Sequence, residues 1–177
     1  MEDTLHPTYL KSSSLLTSHW AGTNLFFRFQ NQEKSRSRWG VSSTRGQIHH
    51  IEIVVSDLKK SSEFYGNLLA WLGYRRILDE KEEAGWSLEN RSIYLSQGKD
   101  RFVHHGYHRK RVGLNHIAFV ADSKGLVDTF YKDYLLPKKV PVLYGGPRER
   151  PEYTRGYYSV YFEDPDRLKL ELAYVPR

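Results

Sequence analysis

The chain has 177 residues, long enough for one well-cored domain with an extension. Its 27 Lys and Arg against 21 Asp and Glu leave a net charge of +6, but the basic residues are scattered and not striped with aromatics, which argues against nucleic acid as a partner. The lack of cysteine excludes disulfides, thiolate metal sites and a cysteine nucleophile, and no apolar run approaches the roughly 20 residues that span a bilayer, so no membrane partner is expected and a cytoplasmic location is.

Residues 1–47 are rich in Ser, Thr, Asn, Gln and Arg and keep neither helical nor strand periodicity, so they read as a flexible or weakly docked N-terminal arm. Its aromatics, Trp20, Phe26, Phe27, Phe29 and Trp39, could dock on the domain or on a second subunit, and a homodimer is the assembly the sequence admits. A single folded domain is expected over 48–177. "HIEIVV" alternates as a strand, and Ser56 and Asp57 offer caps to a helix over "LKKSSEFYGNLLAWLG". In that helix Leu58, Phe64, Tyr65, Leu68, Leu69 and Leu72 fall near one face, and Gly73 is a natural stop. "YRRILDE", "GWSLEN" and "SIYLSQ" then read as three short strands, completing a βαβββ unit over about 48–98.

The second half, about 113–176, repeats this layout. "GLNHIAFVA" is a strand, "SKGLVDTFYKDYLL" a helix stopped near Pro137, and "KVPVLYG", "GYYSVYFE" and "RLKLELAYV" are strands. A shift of 66 superposes His50 on His116 and also Phe64-Tyr65 on Phe130-Tyr131. "SIYLS" and "KLELA" close the two units and place Tyr94 opposite Glu171. The expected fold is α+β, with paired βαβββ modules forming a cup-shaped mixed sheet and the helices outside. The connection "VHHGYHRKRVG", with His104, His105 and His108, reads as a solvated or substrate-contacting loop.

If the modules pair about a pseudo-twofold axis, their symmetry brings His50, Tyr94, His116 and Glu171 together. Alternation puts Glu171 on one face with Lys169 and Ala173, turns Leu170 and Leu172 toward the helices, and turns His49 away from His50. Two imidazoles and one carboxylate suit one divalent metal ion, Fe, Mn, Zn, Ni or Co, and leave positions open for a small-molecule substrate. His50, His116 and Glu171 are therefore the candidate metal ligands, and Glu171 and Tyr94 the candidates for proton transfer. Tyr94, His108, Tyr144, Tyr158 and Tyr161 are candidates for the substrate pocket. Arg148, Arg150 and Arg155 could hold an anionic group, although arginines in a Gly/Pro-rich loop are more often exposed.

"HIEIVVSDLKKSSEFY", "GLNHIAFVADS" and above all "VYFEDPDRLKLELAY" resemble the vicinal oxygen chelate superfamily, which contains glyoxalase I, extradiol dioxygenases, fosfomycin resistance enzymes and bleomycin resistance proteins. The resemblance covers about 48–176 and implies a cup of paired βαβββ modules with His50, His116 and Glu171 at the metal positions. It implies lyase- or isomerase-like Lewis-acid chemistry, with an extradiol-type dioxygenase and a metal-free drug-binding protein as alternatives. Glyoxalase I commonly carries a fourth ligand, a glutamate, where this chain has Tyr94, and a phenol is a poorer metal ligand at neutral pH. Tyr161 stands in the position of the dioxygenases' active-site tyrosine. Arg167 replaces the usual glycine after Asp-Pro-Asp, residues 152–154 lack the dioxygenases' histidine, and the Lys and Ser pattern of fosfomycin resistance enzymes is missing.

Overall fold

The computed structural model describes residues 46–176, so all but the last two positions of the expected arm lie outside the described residues. The first module runs β1 (His50–Val55), α1 (Leu58–Trp71), β2 (Arg75–Asp79), β3 (Glu83–Leu88) and β4 (Arg91–Gln97). A short helix, α2 (Asp100–Val103), follows in the connection expected as loop. The second module runs β5 (His116–Val120), α3 (Lys124–Thr129) with a π-helical continuation Phe130–Leu135, β6 (Val142–Glu149), β7 (Tyr158–Glu163) and β8 (Lys169–Tyr174). Each forms a four-stranded mixed sheet, in order β1-β4-β3-β2 and β5-β8-β7-β6, with only the β1–β4 and β5–β8 pairs parallel. The paired βαβββ architecture is thus present. Among the described residues the two sheets are separate, however, and β1 and β5 each pair on one side only.

Local chemistry sets the element ends. The Asp57 side chain accepts from the Lys60 amide at 3.0 Å, capping α1, and Gly73 at φ 90° turns the chain out of it while Tyr74 N donates to Leu69 O. The buried stripe of α1 is Leu58, Ser61, Tyr65, Leu68 and Leu69. In the second module Phe130, not Tyr131, is the fully buried ring, whereas in the first it is Tyr65, not Phe64. The two helices therefore present their double aromatic one residue out of step, and the switch into π-helix coincides with that position.

The modules share one core. Trp71 packs 4.7 Å from Phe130, and Tyr74 stands edge-on to Phe119 at 6.5 Å. The Asp164-Pro165-Asp166 turn between β7 and β8 provides the polar join. Asp164 Oδ1 accepts from the amides of Asp166 and Leu168 at 2.9 and 2.7 Å, and its Oδ2 accepts from the buried Tyr65 hydroxyl at 2.9 Å. Asp166 in turn accepts from the amide and hydroxyl of Ser56 in the first module.

Arg167 occupies that turn at φ 69°, the conformation for which glycine is suited, and its side chain is 72% exposed. Left-handed backbone costs a non-glycine residue about 1–2 kcal/mol, of which glycine's extra unfolded-state freedom takes back roughly 0.5–1. Arg167→Gly is expected to raise the urea midpoint, with an unchanged slope, by the equivalent of up to about 1 kcal/mol.

Burial pushes the Asp164 carboxyl up to about 6, against the donors that favour its charge. The native state then keeps its proton over a range where the unfolded chain, near 3.8, has lost it. Stability from this group is full below about pH 4 and lost as pH rises through 6, with a drop of order 3 kcal/mol at 1.4 per pH unit. Asp164→Asn keeps an acceptor for the two amides, so the difference between wild-type and variant unfolding free energies should shift in the variant's favour by that order from pH 4 to 7. Parallel urea titrations check it, and a pH-independent difference would refute it.

A buried histidine–glutamate pair on the helix-free face of the second sheet

Alternation divides the second sheet into two faces. Val160, Phe162, Leu170 and Leu172 turn to the helices and are buried there. His116, Ser159, Tyr161, Lys169 and Glu171 lie on the other face. Tyr161 and Glu171 are direct cross-strand partners, and the Tyr161 ring stands edge-on to His116 at 5.8 Å. His116 Nε2 is 3.2 Å from Glu171 Oε2, and the Tyr157 hydroxyl donates to the other carboxylate oxygen, Oε1, at 3.0 Å. Glu171 is only 1% exposed, so these two partners are what hold its charge out of water.

The donor chemistry fits a metal ion. With His116 Nδ1 donating to Asn115 Oδ1 at 2.9 Å, Nε2 and Glu171 Oε2 face each other as atoms that a shared proton or cation must join. Two ligands each about 2.1 Å from one ion stand roughly 3.0 Å apart at a right angle and about 3.4 Å apart at a tetrahedral one, which brackets the observed separation. The third expected ligand is elsewhere: no three His, Asp or Glu side chains converge on an ion position among the described residues. His50 sits in the first sheet, its Nδ1 3.0 Å from His49 Nδ1 and its ring edge-on to Tyr94 at 5.9 Å.

Strand register makes the two modules equivalent at this point. Tyr94 pairs with Glu52, two residues after His50, as Glu171 pairs with Ala118, two after His116. Tyr94 therefore holds in the first sheet the place of Glu171 in the second. Gly85 on β3 makes room for it, because a Cβ there would lie 2.7 Å from the Tyr94 ring. The same face of the first sheet, continued by Val54 and Ser96, lines a cavity of about 620 Å³ that α2 and Tyr107 help to wall.

Of the remaining expected pocket residues, Tyr161 lies in the site and Tyr144 packs edge-on against it at 5.6 Å. Tyr158 lies on the opposite face, its hydroxyl bonded to Asp128 of α3 at 2.8 Å, because its even position on β7 points to the helices. His108 is exposed in the connection and lines a separate cavity of about 210 Å³ with Tyr107, Arg109, Lys110 and Arg167. Three further residues stand by the pair, of which Lys169 lies on the face that alternation gives it and Arg150 is one of the three arginines the sequence offers for an anionic group. Tyr157 shares the parity of Tyr161, a signal the alternation of β7 carried. Lys169 Nζ lies 5.1 Å from the Tyr161 ring, and Arg150 is only 3% exposed with its guanidinium 4.8 Å from that ring. Burial, then Glu171, pushes the Tyr157 phenol up to about 12, and burial likewise pushes Tyr161 well up, so both remain hydrogen-bond donors at neutral pH.

The family model described as Glyoxalase/Bleomycin resistance protein/Dioxygenase superfamily matches residues 47–172. YqjT of Bacillus subtilis is 42% identical over 128 residues, 71% of this chain and 97% of that protein. The metallothiol transferase FosB of Lysinibacillus sphaericus is 33% identical over 127 residues, 70% of this chain and 79% of that protein. The crystal structure of a glyoxalase candidate from Bacillus halodurans superposes with a TM-score of 0.65 at 33% identity, covering 74% of this chain and 97% of that one. No helix among the described residues is long and apolar enough to cross a membrane. Module architecture, strand register and sequence match agree: the chain belongs to the Glyoxalase/Bleomycin resistance protein/Dioxygenase superfamily.

Proposed function

We propose that the protein is a divalent-metal-dependent enzyme acting on a small substrate bound through adjacent oxygens, by lyase- or isomerase-like chemistry. The observation that carries this reading is the buried His116–Glu171 pair at 3.2 Å, with Tyr157 holding the second carboxylate oxygen. His116 and Glu171 would hold the ion with His50 as third ligand. The chemistry such an ion supplies is Lewis-acid stabilisation of negative charge developing on substrate oxygen. Tyr157 fixes the Glu171 carboxylate, Tyr161 walls the site, and Tyr94 offers a hydroxyl to a substrate oxygen. The name of the FosB relative, a metallothiol transferase, supports a metal and extends the candidate reactions to thiol addition.

His50 reaches the pair, on this reading, from a second copy of the chain. β1 and β5 have open edges, and Val54 and Val120 on these strands are 68% and 76% exposed. Open edges with exposed apolar side chains are surfaces that proteins cover. Edge-to-edge pairing of β1 with β5 of a twofold mate would complete two cups per dimer.

Wild-type protein purified without chelator is expected to contain one metal ion per chain, and His50→Ala, His116→Ala and Glu171→Gln to contain none. Refolding His50→Ala with Glu171→Gln should then restore about a quarter of the wild-type content, since half of randomly assorted dimers are mixed and each has one intact site. Absence of metal from the wild type would overturn the enzyme reading. Single variants that lose metal without recovery in the mixture would confine the site to one chain.

A further inference from the structure

Among the described residues Arg150 is a buried cation without a counter-charge. It is 3% exposed, and among the described residues no carboxylate lies within ion-pair distance and its Nη2 has no hydrogen-bond partner. Its Nε reaches the hydroxyl of Ser159 at 3.4 Å, a long contact to a neutral group. The acids of this face are committed elsewhere, Glu171 to His116 and Tyr157, and Glu163 to Arg109. A guanidinium shut away from water in this way is normally matched by an anion.

We propose that Arg150 is the anion subsite of this active site, taking a carboxylate or phosphoryl-type oxygen of the substrate on Nη2; this rests on reading the His116–Glu171 face as the active site. The guanidinium lies over the Tyr161 ring, whose edge meets His116, and Lys169 stands over the same ring. An anionic group on Arg150 is thus placed across one aromatic ring from the reacting oxygens. The ring centroid of Tyr144 lies 5.9 Å from the guanidinium carbon of Arg150, and Tyr144 is itself 52% exposed. It is held at φ 59°, ahead of Gly145 and Gly146 at 80° and 96°, in the irregular stretch of β6 between Leu143 and Arg148. A tyrosine kept in left-handed backbone is strained, and that strain sits at the residue whose ring stands beside Arg150.

Thermal unfolding of the full chain in sodium phosphate and in sodium acetate, each against sodium chloride at equal ionic strength, tests this. The measurement is made as purified and again after chelator, so that an anion held through metal is told apart. The wild type should gain a few degrees in at least one of the two anions, in both preparations, and the better anion identifies the group. Arg150→Met should melt no lower than wild type in chloride, because an unmatched buried charge is replaced by an apolar chain of similar length, and should lose the anion response. Arg148→Gln, an exposed neighbour on β6, should keep it. If the Met variant does not fold, Arg150→Lys decides, with an anion affinity at least about tenfold weaker expected from the loss of the guanidinium fork. A flat wild type, a response surviving in Arg150→Met, or wild-type affinity in Arg150→Lys would overturn the proposal. Metal content measured on the same samples judges the metal reading separately.

Discussion

The carboxylate of Asp164 is the contact on which the placement of everything else depends. One oxygen closes the β7–β8 turn through two backbone amides, and the other receives the hydroxyl of Tyr65 from the first module's helix. The turn sets the register in which Tyr161 faces Glu171. The hydroxyl docks α1 against the second module, where Trp71 meets Phe130. A carboxylate this deeply buried is costly, and its acidity moves accordingly. The fold accepts the cost because one side chain ties strand register to module packing, and Ser56 on Asp166 repeats the tie two residues on.

Strand register then distributes unequal chemistry to two equivalent places. The first sheet presents His50, Glu52 and Tyr94 on its helix-free face, and the second presents His116, Lys169 and Glu171. Only the second has its carboxylate buried, because the segment after β6 folds back over it: Arg150 N bonds to Tyr157 O and brings the Tyr157 hydroxyl over Glu171. The first face is more open, with His50 and Glu52 exposed. Burial on one side and access on the other is what the proposed sharing of His50 between two chains requires.

Much of this was legible in the sequence, and the reasons differ by element. Every long strand and α1 announced itself by period and caps, as in "HIEIVV" and Asp57. The spacing of His50 and His116 gave the repeat, and the ladder positions of Tyr94 and Glu171 bear it out. The double aromatic was a looser mark, since the π-helical stretch puts Phe130 where the first module buries Tyr65. Tyr158 is expected in the pocket but faces α3, as the alternation of β7 counted from Tyr161 requires. Arg150 was legible only as one of three arginines that could hold an anionic group. A Gly/Pro-rich segment with three arginines reads as solvated, and only the return of the chain at Tyr157 buries one of them. The separation of the two sheets lies beyond any local signal, because β1 and β5 have the composition of paired strands and leave their partners unspecified.

The charges of the second half-site constrain what a substrate must be. On the proposed assembly, a divalent ion between two imidazoles and one carboxylate keeps a net positive charge, and Tyr94, standing where a second carboxylate could, adds nothing to offset it. Arg150 and Lys169 add two more positive charges around Tyr161. A neutral substrate would leave that charge buried and unmatched, at a cost that low local polarity makes steep. A substrate that develops negative charge at its reacting oxygens and carries a second anionic group beside them matches both centres. On that assembly the tyrosine at position 94 in place of an acid and the burial of Arg150 act in the same direction, favouring an anionic substrate.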